Sequence, residues 1–330
     1  MQYRSVSDLN QTIIRNLHKL PRELDLVVGI PRSGLLAANL LSLAANIPMT
    51  DLDSFISGKT YSSGVTKRRA VLDQDMAEAR RVLIIDDSIN GGNAMAEARA
   101  KVAHLPNSDH YLFAAVYGSY PQHAEADLIF EVVPQPRLFQ WNFMHHKFLE
   151  ESCVDIDGVL CVDPTHEEND DGIAYQTFLA EAIPLHGPTR KIGYLVTSRL
   201  EKYRSLTEAW LARHRIQYGQ LVMLDLPSKA ERQRLGVHGS FKADFYKSSP
   251  ATLFIESEDE QAKRIAALSG KPVLCTETHQ LYQSSSNFLN SPIRHVRSDE
   301  RPKEMLKAAA KAMLGERGYR ALKSRVVRST

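Results

Sequence analysis

Two apolar runs in this chain each end in a pair of aspartates, and that pattern restricts how the chain can fold. The first is Arg81-Val-Leu-Ile-Ile-Asp-Asp-Ser-Ile-Asn-Gly-Gly-Asn-Ala-Met95, with Asp86 and Asp87 at the end of the run. The second is Cys153-Val-Asp-Ile-Asp-Gly-Val-Leu160, with Asp155 and Asp157. A short apolar run closed by charge reads as a strand buried on both faces of a parallel sheet. Its C-terminal end opens on the crevice where open α/β sheets take ligands. The loops after the two runs differ, so their chemistry is expected to differ as well.

The segments around each run support this reading. In the first half, Leu24–Gly29, Val82–Asp86, Tyr111–Tyr117 and Ala126–Val133 read as strands. Ser33–Ala45 and Asn93–Val102 read as helices between them. A second alternation starts after Glu150. Strands are expected at Val154–Asp157, Lys191–Val196, Gln220–Leu224, Thr252–Glu256 and Pro272–Cys275, and helices at Tyr175–Ile183, Leu206–Arg213 and Asp259–Leu268. Strands alternating with helices imply mostly parallel sheets. The expected class is α/β, with two doubly wound, mostly parallel-sheet domains over residues 1–150 and 151–290. A basic helical tail is expected over 291–330. No Gly/Ser- or Pro-rich spacer stands near Glu150, so the domains should pack directly.

Composition excludes several alternatives. A chain of 330 residues has room for two domains, and 43% hydrophobic with 24% charged residues is a globular balance. No apolar run approaches the ~18 residues of a membrane span. The N-terminal segment lacks a signal-peptide core. Cys153, Cys161 and Cys275 are an odd, scattered set, which fits a reducing compartment better than a disulfide framework or zinc site. A cytoplasmic protein is expected. Residues 301–330 hold nine Lys/Arg against two Glu. Only Tyr319 interleaves with them, so a stacking platform for nucleic acid is not expected.

After Asp86 and Asp87 comes a polar, glycine-bearing loop and then a helix. Such a loop presents backbone N–H groups, and the helix start adds positive dipole, so together they suit a phosphate. Two carboxylates beside it suit ribose hydroxyls or a Mg²⁺ ion. This segment resembles the type I phosphoribosyltransferase family. The resemblance implies that Asp86 and Asp87 bind ribose and that Asn90, Gly91, Gly92, Asn93 and Ala94 hold its 5′-phosphate. Val27-Val-Gly-Ile-Pro-Arg-Ser-Gly34 is similar to the family's pyrophosphate loop, which gives Arg32, Ser33 and Gly34 to the diphosphate. The basic stretch with Lys59, Lys67, Arg68 and Arg69 resembles its closing loop, and Tyr61-Ser62 reverses a Ser-Tyr pair of the purine-type enzymes. Phe139, Trp141 and Phe143 fall where such enzymes stack the base, with Phe139 and Trp141 preferred. The family usually has Thr where Asn90 and Asn93 stand.

Asp155 and Asp157 are two apart, so on a strand they point the same way. Paired carboxylates at a strand end can hold Mg²⁺ while one attacks phosphorus and the other moves a proton. The Asp-x-Asp-Gly pattern resembles the haloacid dehalogenase-like phosphatases. That resemblance implies a nucleophile at Asp155 and an acid/base at Asp157. It also implies a phosphoryl-binding hydroxyl at Thr197 or Ser198, within Gly193-Tyr-Leu-Val-Thr-Ser-Arg199, with Thr197 preferred. A lysine at Lys242 or Lys247 would neutralise the phosphoryl group, with Lys242 the better fit. Glu256 and Glu258, or else Asp259, would complete a metal site with Asp155 and Asp157. The short spacing between the first two motifs implies a capless site. His145 and His146 have no Cys or acid at metal spacing and read as linker residues.

The expected function is bifunctional and Mg²⁺-dependent. Phosphoribosyl transfer from phosphoribosyl diphosphate to a purine-like base would accompany hydrolysis of a small phosphorylated substrate through an aspartyl-phosphate. The alternative is a phosphoribosyl diphosphate sensor that regulates the phosphatase. No membrane partner is expected, and a homodimer stays open.

Overall fold

The computed structural model describes residues 1–59, 61, 81–236 and 238–283. The described residues fall in one compact unit, which holds two large, mostly parallel sheets and a two-stranded one. The expected basic tail, 291–330, lies outside the described residues.

The chain opens with β1 (Gln2–Arg4) and α1 (Val6–Asn16). Helix α1 starts at a capping box: Ser5 Oγ accepts from the Asp8 N–H, and the Asp8 carboxylate accepts from the Ser5 N–H. Such a cap contributes about 1 kcal/mol. Strand β2 (Leu26–Gly29) is buried at every position. Helix α2 (Gly34–Ala45) covers the sheet and stops at Asn46, whose φ of 54° ends the helical hydrogen bonding. The short β3 (Met49–Asp51) runs into α3 (Leu52–Ile56). Next come β4 (Val82–Ile89), α4 (Asn93–Val102), β5 (Leu112–Gly118) and β6 (Leu128–Val132). The order is β3-β2-β4-β5-β6, all parallel. From β2 the chain builds first toward β3 and then back through β4, so the order reverses between β2 and β4. A ligand crevice opens at such a reversal.

Strand β7 (Arg137–Phe139) returns to pair with β1, away from the main sheet. Leu138, Phe143, Met144 and Leu149 then belong to the same apolar cluster as the core of the second sheet. The residues on both sides of Glu150 therefore pack together.

The second sheet begins with β8 (Ser152–Val154), followed by α5 (Ile173–Glu181), β9 (Ile192–Leu200), α6 (Arg204–Arg213) and β10 (Tyr218–Leu224). Helices α7 (Lys229–Leu235) and α8 (His238–Ser248) lead to β11 (Leu253–Glu256), α9 (Asp259–Ser269), β12 (Val273–Cys275) and β13 (Gln280–Tyr282). The order is β10-β9-β8-β11-β12-β13, and only β13 is antiparallel to its neighbour. This sheet reverses between β8 and β11. Among the described residues no helix is long and apolar enough to cross a membrane.

Candidate functional site

In the first sheet, the loop after β2 is pressed onto β4 at Ile85 and Asp86. A Cβ on Gly34 would stand 2.7 Å from the Ile85 carbonyl oxygen and 3.0 Å from Asp86 Oδ1. Only glycine permits that approach. Ile30 N–H donates to the Ile85 carbonyl at 3.0 Å, which ties the other end of the loop to the same strand. The Pro31–Arg32 peptide between them is cis. Arg32 is exposed at the tip.

The two acids of β4 have different surroundings. Asp87 is buried, and both of its oxygens are taken: Ser33 Oγ donates to Oδ1 at 2.8 Å and the Trp141 indole donates to Oδ2 at 2.7 Å. Asp86 Oδ1 accepts the Asp87 N–H, at 2.8 Å. Burial, and next the Asp87 carboxylate, push the Asp86 carboxyl up to about 8. Such a group is suited to a ligand that brings positive charge or hydroxyl donors. The donor set of Asp86 therefore fits a divalent cation or a sugar.

Gly92 has a φ of 80° and starts α4 with no side-chain cap, so the first N–H groups of the helix have no capping oxygen. The His123 ring lies against Gly92 where a Cβ would be. Asn90 Oδ1 accepts from Ser119 Oγ at 3.0 Å, while Gly91, Asn93 and Ala94 are exposed. These residues surround the anion-binding start of one helix. Lys67, Arg68 and Arg69 lie outside the described residues, as does Ser62. Lys59 and Tyr61 are exposed, and Tyr61 donates to Asp51 at 2.6 Å.

The aromatic segment differs from expectation. Phe139 is buried and stacks on both Tyr117, at 5.4 Å, and Trp141, at 4.9 Å. With both neighbours in place it has no face for a base. Phe143 packs with the second sheet and against His186. Trp141 alone is half-buried and ends the stack beside Asp87.

The second site gathers around Lys242. Its ammonium lies 2.5 Å from Asp155 Oδ2 and 2.8 Å from Glu256 Oε2, and it donates to Gln261 at 3.3 Å. Asp155 follows β8 and Glu256 ends β11, so the cluster sits at the reversal of strand order. Burial would lower the Lys242 pKa, but the two carboxylates outweigh it and raise it above the ordinary lysine range. Lys247 is exposed at the far end of α8. The two lysines, inseparable in the sequence, are separated by the fold.

Asp157 is held by Arg199, a residue not singled out in the sequence. Arg199 donates to both carboxylate oxygens, at 2.6 and 3.1 Å. Its fully buried side chain also contacts Thr207 and Cys161. The available signal was a charged residue closing the apolar run of β9, where it needs a buried partner. Thr197 is buried, and its Oγ1 accepts the Arg199 N–H at 3.2 Å.

The four acids expected to bind metal do not form one ligand set. Asp157 faces Arg199, Asp155 and Glu256 share Lys242, and exposed Glu258 accepts from Gln261 Nε2. Among the described residues, no three His, Cys, Asp or Glu side chains stand at metal-ligand spacing. The acids of this site, as they stand, do not fit a divalent cation. A cavity of about 400 Å³ opens beside them, lined in part by Asp163, His186, Ser257 and Thr276. Burial, and then Asp157 and Glu256, raise the Asp163 carboxyl.

Residues 2–103 match the family model "Phosphoribosyl transferase domain". That stretch carries the loop after β2, the acid pair and α4. Among solved structures, the chain is similar to the xanthine-guanine-hypoxanthine phosphoribosyltransferase of Helicobacter pylori, at 12% identity, over 43% of this chain and 91% of that one, with a TM-score of 0.30. It is also similar to a purine phosphoribosyltransferase of Pyrococcus horikoshii, at 18% identity, over 42% of this chain and 92% of that one, with a TM-score of 0.29. Neither likeness adds to what the sheet order shows. No curated protein matches the chain.

Proposed function

We propose that the first sheet binds phosphoribosyl diphosphate and transfers its phosphoribosyl group to a ring nitrogen of a purine-like base. The observation that carries this reading is the contact of Gly34 with Ile85 and Asp86. It holds a small-residue loop against an acid at a strand-order reversal, inside the segment that matches a phosphoribosyl transferase domain. In this reading Asp86 accepts ribose hydroxyls and the N–H groups at the start of α4 hold the 5′-phosphate. Arg32 meets the diphosphate, as would Lys67 and Arg68, and the free side of Trp141 takes the base. The C1–O bond breaks with its electron pair leaving on diphosphate. A nitrogen lone pair of the base forms the new C1–N bond, and the proton on that nitrogen passes to solvent. A Mg²⁺ ion bound beside Asp86 would supply charge neutralisation to the leaving diphosphate. Fixed N–H groups and charges oriented before the reaction supply the rest.

A second reading is favoured by the 2.5 Å contact of Lys242 with Asp155. In it, Asp155 attacks the phosphorus of a phosphate monoester. The ester P–O bond breaks, the leaving oxygen takes a proton from solvent, and water then attacks the aspartyl-phosphate, releasing phosphate and restoring the Asp155 carboxylate. Lys242 and the hydroxyl of Thr197 meet the transferred group. Arg199 keeps the Asp157 carboxylate turned toward its own guanidinium.

The two activities are assayed separately. Diphosphate release is followed with phosphoribosyl diphosphate and a panel of bases, for the wild type and Asp86→Asn. Phosphate release is followed with a panel of nucleotides and sugar phosphates, for the wild type and Asp155→Asn. Binding of phosphoribosyl diphosphate without release at any base would instead favour a sensor. No phosphate release from any ester would end the second reading.

A further inference from the structure

Two buried donors near the second site, Ser198 Oγ and Arg232 Nε, are shielded from solvent and lack a hydrogen-bond partner among the described residues. Arg232, on α7, is only 8% exposed. Its Nη1 donates to the Ser198 carbonyl at 2.7 Å, which brings the two orphaned groups into one neighbourhood. Ser198 lies between Thr197 and Arg199 in β9, at the sheet edge where β8 delivers Asp155.

The charge is as incomplete as the hydrogen bonding. Arg199, one residue along, is neutralised by Asp157 at 2.6 Å. Arg232 has no such carboxylate partner among the described residues. A buried guanidinium without a counter-charge is costly, and buried orphan donors call for a bound water or ion. A water would serve the hydroxyl and leave the charge uncompensated. An anion would serve both, since Nε–H and O–H are each able to donate to it.

We propose that Ser198 Oγ and Arg232 Nε form a subsite for the second anionic group of a bis-anionic phosphate ester. The ester's phosphoryl group meets Asp155, and a further phosphate or carboxylate on the same molecule meets Arg232 and Ser198. The substrate class is then a bisphosphate or a phosphorylated carboxylic acid, in preference to a simple monoester. This assignment rests on reading Asp155 as a phosphoryl acceptor.

The test is built so that failure of the subsite and failure of Asp155 are told apart. The full chain is labelled with ¹⁵N-arginine, and the Arg232 Nε–Hε signal is identified by its loss in Arg232→Lys. Sulfate and acetate are then titrated separately. A saturable shift of that signal is expected with at least one of them. A response to sulfate alone marks a phosphate subsite, and a response to acetate marks one that takes carboxylate. Ser198→Ala should weaken the responding anion by about threefold or more, the loss of one charge-assisted hydrogen bond. A signal that neither anion moves overturns the proposal, whatever the hydrolysis assays give.

A kinetic arm compares p-nitrophenyl phosphate with a sugar bisphosphate and with phosphoglycolate. The wild type should favour an ester with the second anion by about tenfold or more in kcat/KM, and Arg232→Gln should remove that preference. Equal rates for mono-anionic and bis-anionic esters in the wild type also overturn it. Cleavage of no ester at all contradicts the role of Asp155, while the anion titration still decides the subsite.

Discussion

The indole N–H of Trp141 donates to Asp87 Oδ2 at 2.7 Å, joining the segment that leaves the first sheet to the acid pair within β4. Ser33 holds the other oxygen of the same carboxylate, so three separate stretches of chain meet on Asp87. Asp87 thus ties Ser33 and Trp141 to β4, while the neighbouring Asp86 lies against Gly34.

This contact makes Trp141 a reporter of the first site. The other tryptophan, Trp210, is fully buried on α6 in the core of the second sheet and donates to the Ala182 carbonyl at 2.8 Å. Adding phosphoribosyl diphosphate should change the tryptophan emission of the wild type and of Trp210→Phe. Trp141→Phe should show no such change. An emission change that survives in Trp141→Phe contradicts this placement.

Gly34→Ala should damage the first site directly. The new Cβ meets a backbone oxygen at 2.7 Å, so the strand or the loop must shift. Overpacking of this kind costs about 1–3 kcal/mol of stability, measured by denaturant unfolding. Calorimetry should show affinity for phosphoribosyl diphosphate falling by about tenfold or more, because the loop no longer sits on Asp86. Gly187→Ala, with nothing within 4 Å of the new methyl and no left-handed backbone to strain, serves as the control away from the crevice.

Lys242→Met should destabilise the protein by about 3–5 kcal/mol, since it leaves Asp155 and Glu256 buried without their shared cation. Adding Glu256→Gln to that variant should recover part of the loss. Lys247→Met, at an exposed position, should stay within about 0.5 kcal/mol of the wild type. Chemical denaturation of the four proteins is the measurement, and equal effects at the two lysines would contradict the assignment.

The fold was largely legible because both sheets are written as short apolar runs closed by charge. Asn93–Val102 needed nothing beyond pattern, whereas the sequence preferred Lys242 without separating it from Lys247. Helix α1 was not singled out, although Ser5 and Asp8 form its capping box and Leu9 and Ile13, four apart, bury one face of it. The pairings that shape the sites were out of reach. Trp141 bonds an acid 54 residues back, and Arg199 bonds one 42 residues back. Spacing could say that Asp157 and Arg199 needed partners but not that they partner each other. Phe139 and Trp141 looked equivalent, since only the fold decides which ring ends the stack.

The pH dependence of the Asp51 segment follows from its hydrogen bonds. Ser54 and then Tyr61 hold the Asp51 carboxyl down at about 2. A carboxylate whose folded pKa lies below its unfolded value stabilises the fold above the unfolded value, near 4. That contribution is lost as the pH falls through about 2. Carboxyl NMR titration should find Asp51 titrating near 2 in the wild type and higher in Tyr61→Phe. An unchanged midpoint in the variant would show that the Tyr61 bond does not act on Asp51.

Asp86 as the sugar-facing acid of a phosphoribosyl diphosphate site is the assignment on which the proposed transfer rests. Isothermal calorimetry with phosphoribosyl diphosphate and Mg²⁺ tests it on the wild type and Asp86→Asn, with circular dichroism confirming that both are folded. The wild type should bind saturably, and Asp86→Asn should bind about tenfold or more weakly, the expected loss of a charge-assisted contact. Binding of equal strength in the two folded proteins, or none in the wild type, would contradict it.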